Sequence, residues 1–345
     1  ANVNGEIRNA LIGMDVTDQE NIDAALVSLD GTENKARLGA NAMLGVSMAC
    51  LRAAAQGTLW QHISEGGPSS IPVPQMNILN GGAHAASNVD IQEFMVVPHG
   101  FDSFSDALRA GVEIYHSLKS VLKEEGLLSG IGDEGGFAPN LPRNEDGLRL
   151  VLSAIIGAGY TPGKQVSIAL DCAAQEFCHD DGYHIDGGVL SGSELGQLYS
   201  SWLDTYPIVS LEDAFGEDDW GAWSEFTARE GHRVQVVGDD LYVTNPTRLS
   251  KGIAEGASNA ILIKLNQIGT VSETMRVIEM ARSAGFATII SHRSGETSDH
   301  MISDLAVGTN AGQIKTGAPA RSDRTAKYNQ LIRISEQCEN YTDLF

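Results

Sequence analysis

From residue 166 onward, short runs rich in apolar residues recur at regular intervals. Val166–Leu170, Ile208–Leu211, Val234–Val237, Ala260–Leu265, Ala287–Ser291 and Gln313–Thr316 are each four to six residues long. Runs of that length and character predict strands covered on both faces. The segments between them carry helical periodicity and helix punctuation. Thr270 with Glu273 reads as a capping box, Gly285 stands where a helix-terminating glycine belongs, and Pro246 follows the cap residue Asn245. Six such strand–helix units in series predict a parallel sheet.

Two further runs lie upstream, Val73–Leu79 and Asp90–Val97, separated by the loop Asn80–Asn88. That connection is too short for a parallel crossover, so the pair should be an antiparallel hairpin. Helical stretches at 103–125 and 144–158 follow. The first carries Leu108, Val112, Tyr115, Leu118 and Leu122 on one stripe and stops at Gly126. The fold class predicted is α/β: a (β/α)8-type barrel with the order ββαα(βα)6. Residues 1–66 read as mainly helical, with Leu44, Met48, Leu51 and Ala55 on one face and Gly57 as a stop. The stretch Ile63–Pro72, with Gly66, Gly67 and Pro68, reads as the linker. The expected division is therefore 1–66 and 67–345.

Charge narrows the function. Among 345 residues, Asp and Glu number 45 against 23 Lys and Arg, a formal net charge of −22. Nucleic acid demands a basic face, so it is excluded as a partner. No apolar run approaches the roughly 18 residues of a membrane-spanning helix. The four cysteines form no CxxC pair, which argues against thiolate metal sites and for a reducing, cytoplasmic compartment.

The chemistry of a barrel of this kind lies where its strands end. Those positions hold Asp171, Glu212, Asp239, Lys264, His292 and Lys315, at intervals of 41, 27, 25, 28 and 23 residues. Each interval is about one strand–helix unit. Any one of the three acids alone could cap a helix or pair with a lysine. Together they point to a hard, all-oxygen site that suits Mg2+. The next three ends are cationic or can become so, and Arg293 and Ser294 follow His292. That wall predicts an anionic small molecule carrying a carboxylate and a phosphate. Two glycine-rich loops complete the mouth. One contains Asn80–His84, with Gln92 and Glu93 expected on the second strand; the other is Gly130–Gly136, which carries Glu134.

These motifs resemble the enolase family in order and along essentially the whole chain. The matching segments are LDGTENKARLGANA (29–42), LNGGAHA (79–85), IQEFMVVP (91–98), GDEGGFAPN (132–140), ALDCAAQEF (169–177), SLEDAFGEDDW (210–220), VVGDDLYVTNP (236–246), ILIKLNQIGT (261–270), ISHRSGETSDH (290–300) and GQIKTGAPARSDR (312–324). The resemblance implies Mg2+-dependent, reversible dehydration of 2-phosphoglycerate to phosphoenolpyruvate. Asp171, Glu212 and Asp239 would hold one tight Mg2+, with a second ion arriving with substrate. Lys264 would be the base at C2, its pKa lowered by Lys315 and Mg2+, and Glu134 the acid for the 3-hydroxyl. His84, Glu93 and His292 would complete the catalytic pocket, with Gln92, Arg293, Ser294 and Lys315 binding substrate. A homodimer or larger homo-oligomer is also implied.

In one respect the sequence departs from the family pattern. The family carries a β-meander and a mobile loop of SGASTG type upstream of the point where this sequence starts. Residues 1–66 are then expected to be the helical remnant of an α+β N-terminal domain. Two other readings follow: an impaired, truncated form acting as a binding or scaffold protein, and a related barrel acting on another carboxylate.

Overall fold

The computed structural model describes every residue except 86, 339 and 343; residue 86, in the loop Asn80–Asn88, thus lies outside the described residues. Eight strands close into one barrel. They are β1 (Val73–Asn80), β2 (Glu93–Val97), β3 (Ser167–Asp171), β4 (Ile208–Glu212), β5 (Gln235–Gly238), β6 (Ala260–Ile263), β7 (Ala287–Ser291) and β8 (Gly312–Lys315). The expected hairpin is present, since β2 runs antiparallel to both β1 and β3. Every other pair, including β8 with β1, is parallel. Helices Phe104–Glu124 and Asn144–Gly157 intervene between β2 and β3, and a helix follows each later strand, so the order is ββαα(βα)6.

Several boundaries moved for local reasons. The second strand begins at Glu93 rather than Asp90, and Gln92 lies just before it. The preceding backbone is diverted: the Asn144 side chain accepts the N–H groups of Asp90 and Ile91 at 2.8 and 2.9 Å. The run Ala260–Leu265 stops being a strand at Ile263. Lys264 caps a one-turn helix, Leu265–Ile268, which Gly269 closes at φ +104°. A three-stranded antiparallel sheet, Cys178–His179, Gly182–Ile185 and Gly188–Leu190, went unrecognised because strands of two to four residues leave little periodicity.

Alternation along the strands sorts the barrel interior into layers. Outward residues such as Phe94, Ile168, Leu170 and Leu211 join the large core beneath the helices. Some inward residues form two small apolar clusters, Val73, Met95, Val97 and Ala169 in one and Val237, Ala260, Leu262 and Ile289 in the other. Next comes a polar layer in which Gln313 bonds Gln75 at 2.8 Å and Gln235 at 2.7 Å, and Gln235 reaches Ser210 at 3.1 Å. Two residues beyond Ser210 and Gln313 stand the charged Glu212 and Lys315, while the same step on β1 reaches Asn77, and Asp239 lies four residues beyond Gln235.

The N-terminal helices have their own small core of Ile7, Ile22, Leu26, Leu38 and Met43. Leu44 and Leu51 instead join the barrel core, as their stripe predicts. The contact between the two regions is also polar. Ser47 accepts the N–H of Val271 at 3.0 Å, and Asp23 that of Ser272 at 2.8 Å, both at the start of the barrel helix Val271–Ser283. Lys35 reaches Glu273 of the same turn at 3.0 Å.

Candidate active site

At the C-terminal end of the barrel lies a cavity of about 360 Å³. Every residue singled out from the sequence lines it except Glu212, which sits beneath the floor. Asp171, Glu212 and Lys315 are the last residues of β3, β4 and β8; Asp239, Lys264 and His292 stand just past β5, β6 and β7. Since every second strand residue points inward, one register brings these six ends to one place.

Lys315 is the centre of the floor. Its ammonium lies 2.8 Å from both Asp171 and Glu212 and 3.2 Å from Glu93, and all four are buried. Burial would lower the lysine's pKa, but Asp171, Glu212 and Glu93 together hold it well above its usual range. Asp171 is lowered: burial opposes its charge, and Lys315 outweighs burial. Glu212 is raised well above its usual range by burial and by Asp171, which Lys315 only partly offsets.

Lys264 pairs with Asp239. Gln267 bonds the other oxygen of Asp239 at 3.1 Å, and Thr244 ties Gln267 to the Lys264 backbone. The expected lowering of the Lys264 pKa by Lys315 is present, but it does not set the net direction. Burial and Lys315 do act that way, but Asp239 prevails and raises it.

Glu134 is buried, not solvated as an acid in a glycine-rich loop would be by default. Tight turns carry it inward: Gly136 packs on the β1 backbone where no Cβ fits, and Phe137 bonds along the edge of β1. Its Oε2 lies 3.1 Å from His292 Nε2 and accepts from Asn77 at 3.1 Å. Burial works against the Glu134 charge, yet His292 above all holds its pKa well below the usual range. Its neighbour Glu93 is pushed up to about 7 by burial and by Glu134. His84 bridges the two acids, with Nδ1 at 3.4 Å from Glu93 and 3.8 Å from Glu134.

Arg293 and Ser294 are held by protein partners. Arg293 donates to Asn266 at 2.9 Å, and Ser294 bonds His84 at 2.8 Å. Gln92 donates to Asp171 at 3.2 Å. Sequence reasoning missed Asp213, Asp240, Gln267, Asn77 and Arg324. For the first two the signal was available: each is the second member of an acidic pair, Glu212–Asp213 and Asp239–Asp240, at a strand end.

The donor set fits a hard divalent cation. Asp171, Glu212 and Asp239 offer only oxygen, and Lys315 alone serves three buried carboxylates, an excess of negative charge that a cation would balance. Among the described residues, the compact clusters with ligand atoms within 4.8 Å are His84–Glu93–Glu134 and Asp213–Asp239–Asp240, so the expected trio is not one of them. Lys315 stands between two of its members, Asp171 and Glu212, and Lys264 pairs with the third.

Comparison with known proteins agrees with this architecture. Residues 68–343 match the family model "Enolase, C-terminal TIM barrel domain", and residues 1–63 match "Enolase, N-terminal domain". The chain is 56% identical to the enolase of Acidothermus cellulolyticus over 98% of its own length and 80% of that protein's. It is also 56% identical to the enolase of Natranaerobius thermophilus, over 97% of this chain and 80% of that one. The chain belongs to the enolase family of enzymes.

Proposed function

We propose that this chain interconverts 2-phosphoglycerate and phosphoenolpyruvate, with Lys264 taking the C2 proton and Glu134 serving the 3-hydroxyl. The observation that carries the reading is that both side chains line one cavity from different elements, each held by its own partner, Asp239 and His292. Removing a proton beside a carboxylate puts a second negative charge on that group. Asp171, Glu212 and Asp239 would hold Mg2+, with a second ion expected beside the substrate, and the metal would supply the positive charge that makes this dianion tolerable.

Lys264 has the Lys315 ammonium as a neighbour, whose charge opposes its protonation. Lys315, Arg293 and Ser294 offer donors to the carboxylate and phosphate, with Gln92 beside them. Glu134, ionised beside His292, takes a proton from the adjoining His84–Glu93 pair, where Glu93 is pushed up to about 7, and passes it to the departing hydroxyl. Family resemblance supports self-association and a cytoplasmic setting.

The test is phosphoenolpyruvate formation from 2-phosphoglycerate, followed by ultraviolet absorbance with Mg2+ and with EDTA. Turnover that EDTA abolishes is expected. A folded chain that binds Mg2+ but turns over another α-proton carboxylate in preference would overturn the reading.

A further inference from the structure

Arg324 is a fully buried cation that the reaction scheme does not use. It lies in the first turn of the last barrel helix, Ser322–Ser335. A guanidinium sealed from water is costly unless its donors find acceptors. Here Nη1 donates to Nδ1 of His292 and, at 2.7 Å, to the carbonyl of Arg293. Nη2 donates to the carbonyls of Ser294 at 2.6 Å and Asp133 at 3.3 Å, and Nε lies 3.2 Å from Asp323. One side chain thus ties the segment after β7 to the residue preceding Glu134.

The contact with His292 has a chemical consequence. A guanidinium has only donors, so the Nδ1 it touches must be the acceptor. The ring proton then sits on Nε2, on the edge of the ring that faces Glu134 Oε2 at 3.1 Å, where its positive end meets the carboxylate without an aligned hydrogen bond. The opposite tautomer would aim a lone pair at the carboxylate and a proton at the arginine. We propose that Arg324 is a positioning residue: it fixes His292 in the Nε2–H tautomer and thereby holds the Glu134 carboxylate and the 292–294 segment in register. Burial, aided by the charge of Arg324, keeps His292 below its ordinary pKa despite Glu134, so the ring is neutral and has a tautomer to fix. The catalytic part of the proposal rests on the role given to Glu134 above; the tautomer does not.

The test is long-range proton–nitrogen correlation NMR on protein labelled with 15N-histidine, with His292 assigned from His292→Asn. Wild type should show a protonated Nε2 and a bare Nδ1. Arg324→Met should lose that single pattern, and its kcat for 2-phosphoglycerate should fall about 100-fold, the scale of a misplaced catalytic group. Arg324→Lys, which keeps a donor, should restore the tautomer and part of the rate. A wild-type His292 protonated on Nδ1, or on both nitrogens, overturns the proposal even if Arg324→Met fails to fold. So does a folded Arg324→Met that keeps the Nε2–H pattern. An Nε2–H signal in a chain with no 2-phosphoglycerate turnover would sink the function reading and uphold the tautomer.

Discussion

Asp213 accepts the backbone N–H of Asp239 at 2.9 Å, and its second oxygen accepts that of Asp240 at 2.8 Å. A carboxylate at the end of β4 thus fixes the backbone from which Asp239 enters the cavity at the end of β5. Asp213→Asn sets an amide donor against one of those N–H groups. Mg2+ affinity by titration calorimetry should fall about 10-fold, the usual cost of losing a group that orients a ligand. Unchanged affinity in the folded variant would reduce this contact to a structural one.

Lys264→Ala and Glu134→Gln should separate the two halves of the reaction. The first should abolish exchange of the C2 proton of 2-phosphoglycerate with deuterated solvent and leave Mg2+ binding no weaker, because Asp239 remains. The second should block dehydration while leaving measurable exchange, because the base remains. Substantial exchange in Lys264→Ala, or equal loss of both steps in Glu134→Gln, would show the roles to be wrongly divided.

Gly147 lets the helix Asn144–Gly157 close on β2: a Cβ there would meet the ring of Phe94, next to Glu93. Gly147→Ala gains helix propensity but overpacks the core, a net cost of about 1–3 kcal/mol. The urea midpoint should drop accordingly. An unmoved midpoint would mean that the helix can shift outward without penalty.

Glu230 carries a pH signature. Burial raises its pKa, but the hydrogen bonds from Arg233, at 2.6 Å, and from Ser200, at 2.6 Å, bring the net value below the ordinary one. A carboxyl lowered in the folded state stabilises above its unfolded pKa, and that stability is lost as pH falls through the folded value. Wild type should exceed Glu230→Gln by about 1–2 kcal/mol at pH near 7, and the gap should shrink below the usual carboxylate range near pH 4. A gap that does not change with pH would mean the charge is irrelevant.

The strands and the charged residues at their ends were legible because alternation in a barrel is strict. Asp171 and Glu212 pair in register at the ends of β3 and β4, and Lys315 ends β8 level with Ser291 of β7, so the strand spacing pointed to all three ends. What spacing cannot report is which charge answers which. The Lys264 amine, whose pKa Lys315 lowers as expected, also meets Asp239, which raises it, a contact across 25 residues. Glu134 looked like a solvated loop acid because its burial depends on Gly136 packing against β1, a fit invisible in a glycine-rich string. Arg324 was hidden most completely. Three of its contacts are the backbone carbonyls of Asp133, Arg293 and Ser294, which carry no side-chain signature. On the helix Phe104–Glu124 the bulky stripe was only partly right: Leu108 and Val112 lie at its margin, and Ala107, Ala110 and Gly111 form the buried contact.

The barrel helix Val271–Ser283 begins with amides accepted by Ser47 and Asp23 rather than by barrel residues. Every helix start leaves N–H groups that need acceptors. Were the 19–55 segment to lift away, these two amides would lose theirs, just downstream of the loop that carries Lys264. Loosening of the N-terminal helices therefore uncovers the first turn of this helix as well. Hydrogen exchange at Val271 and Ser272 reports on both.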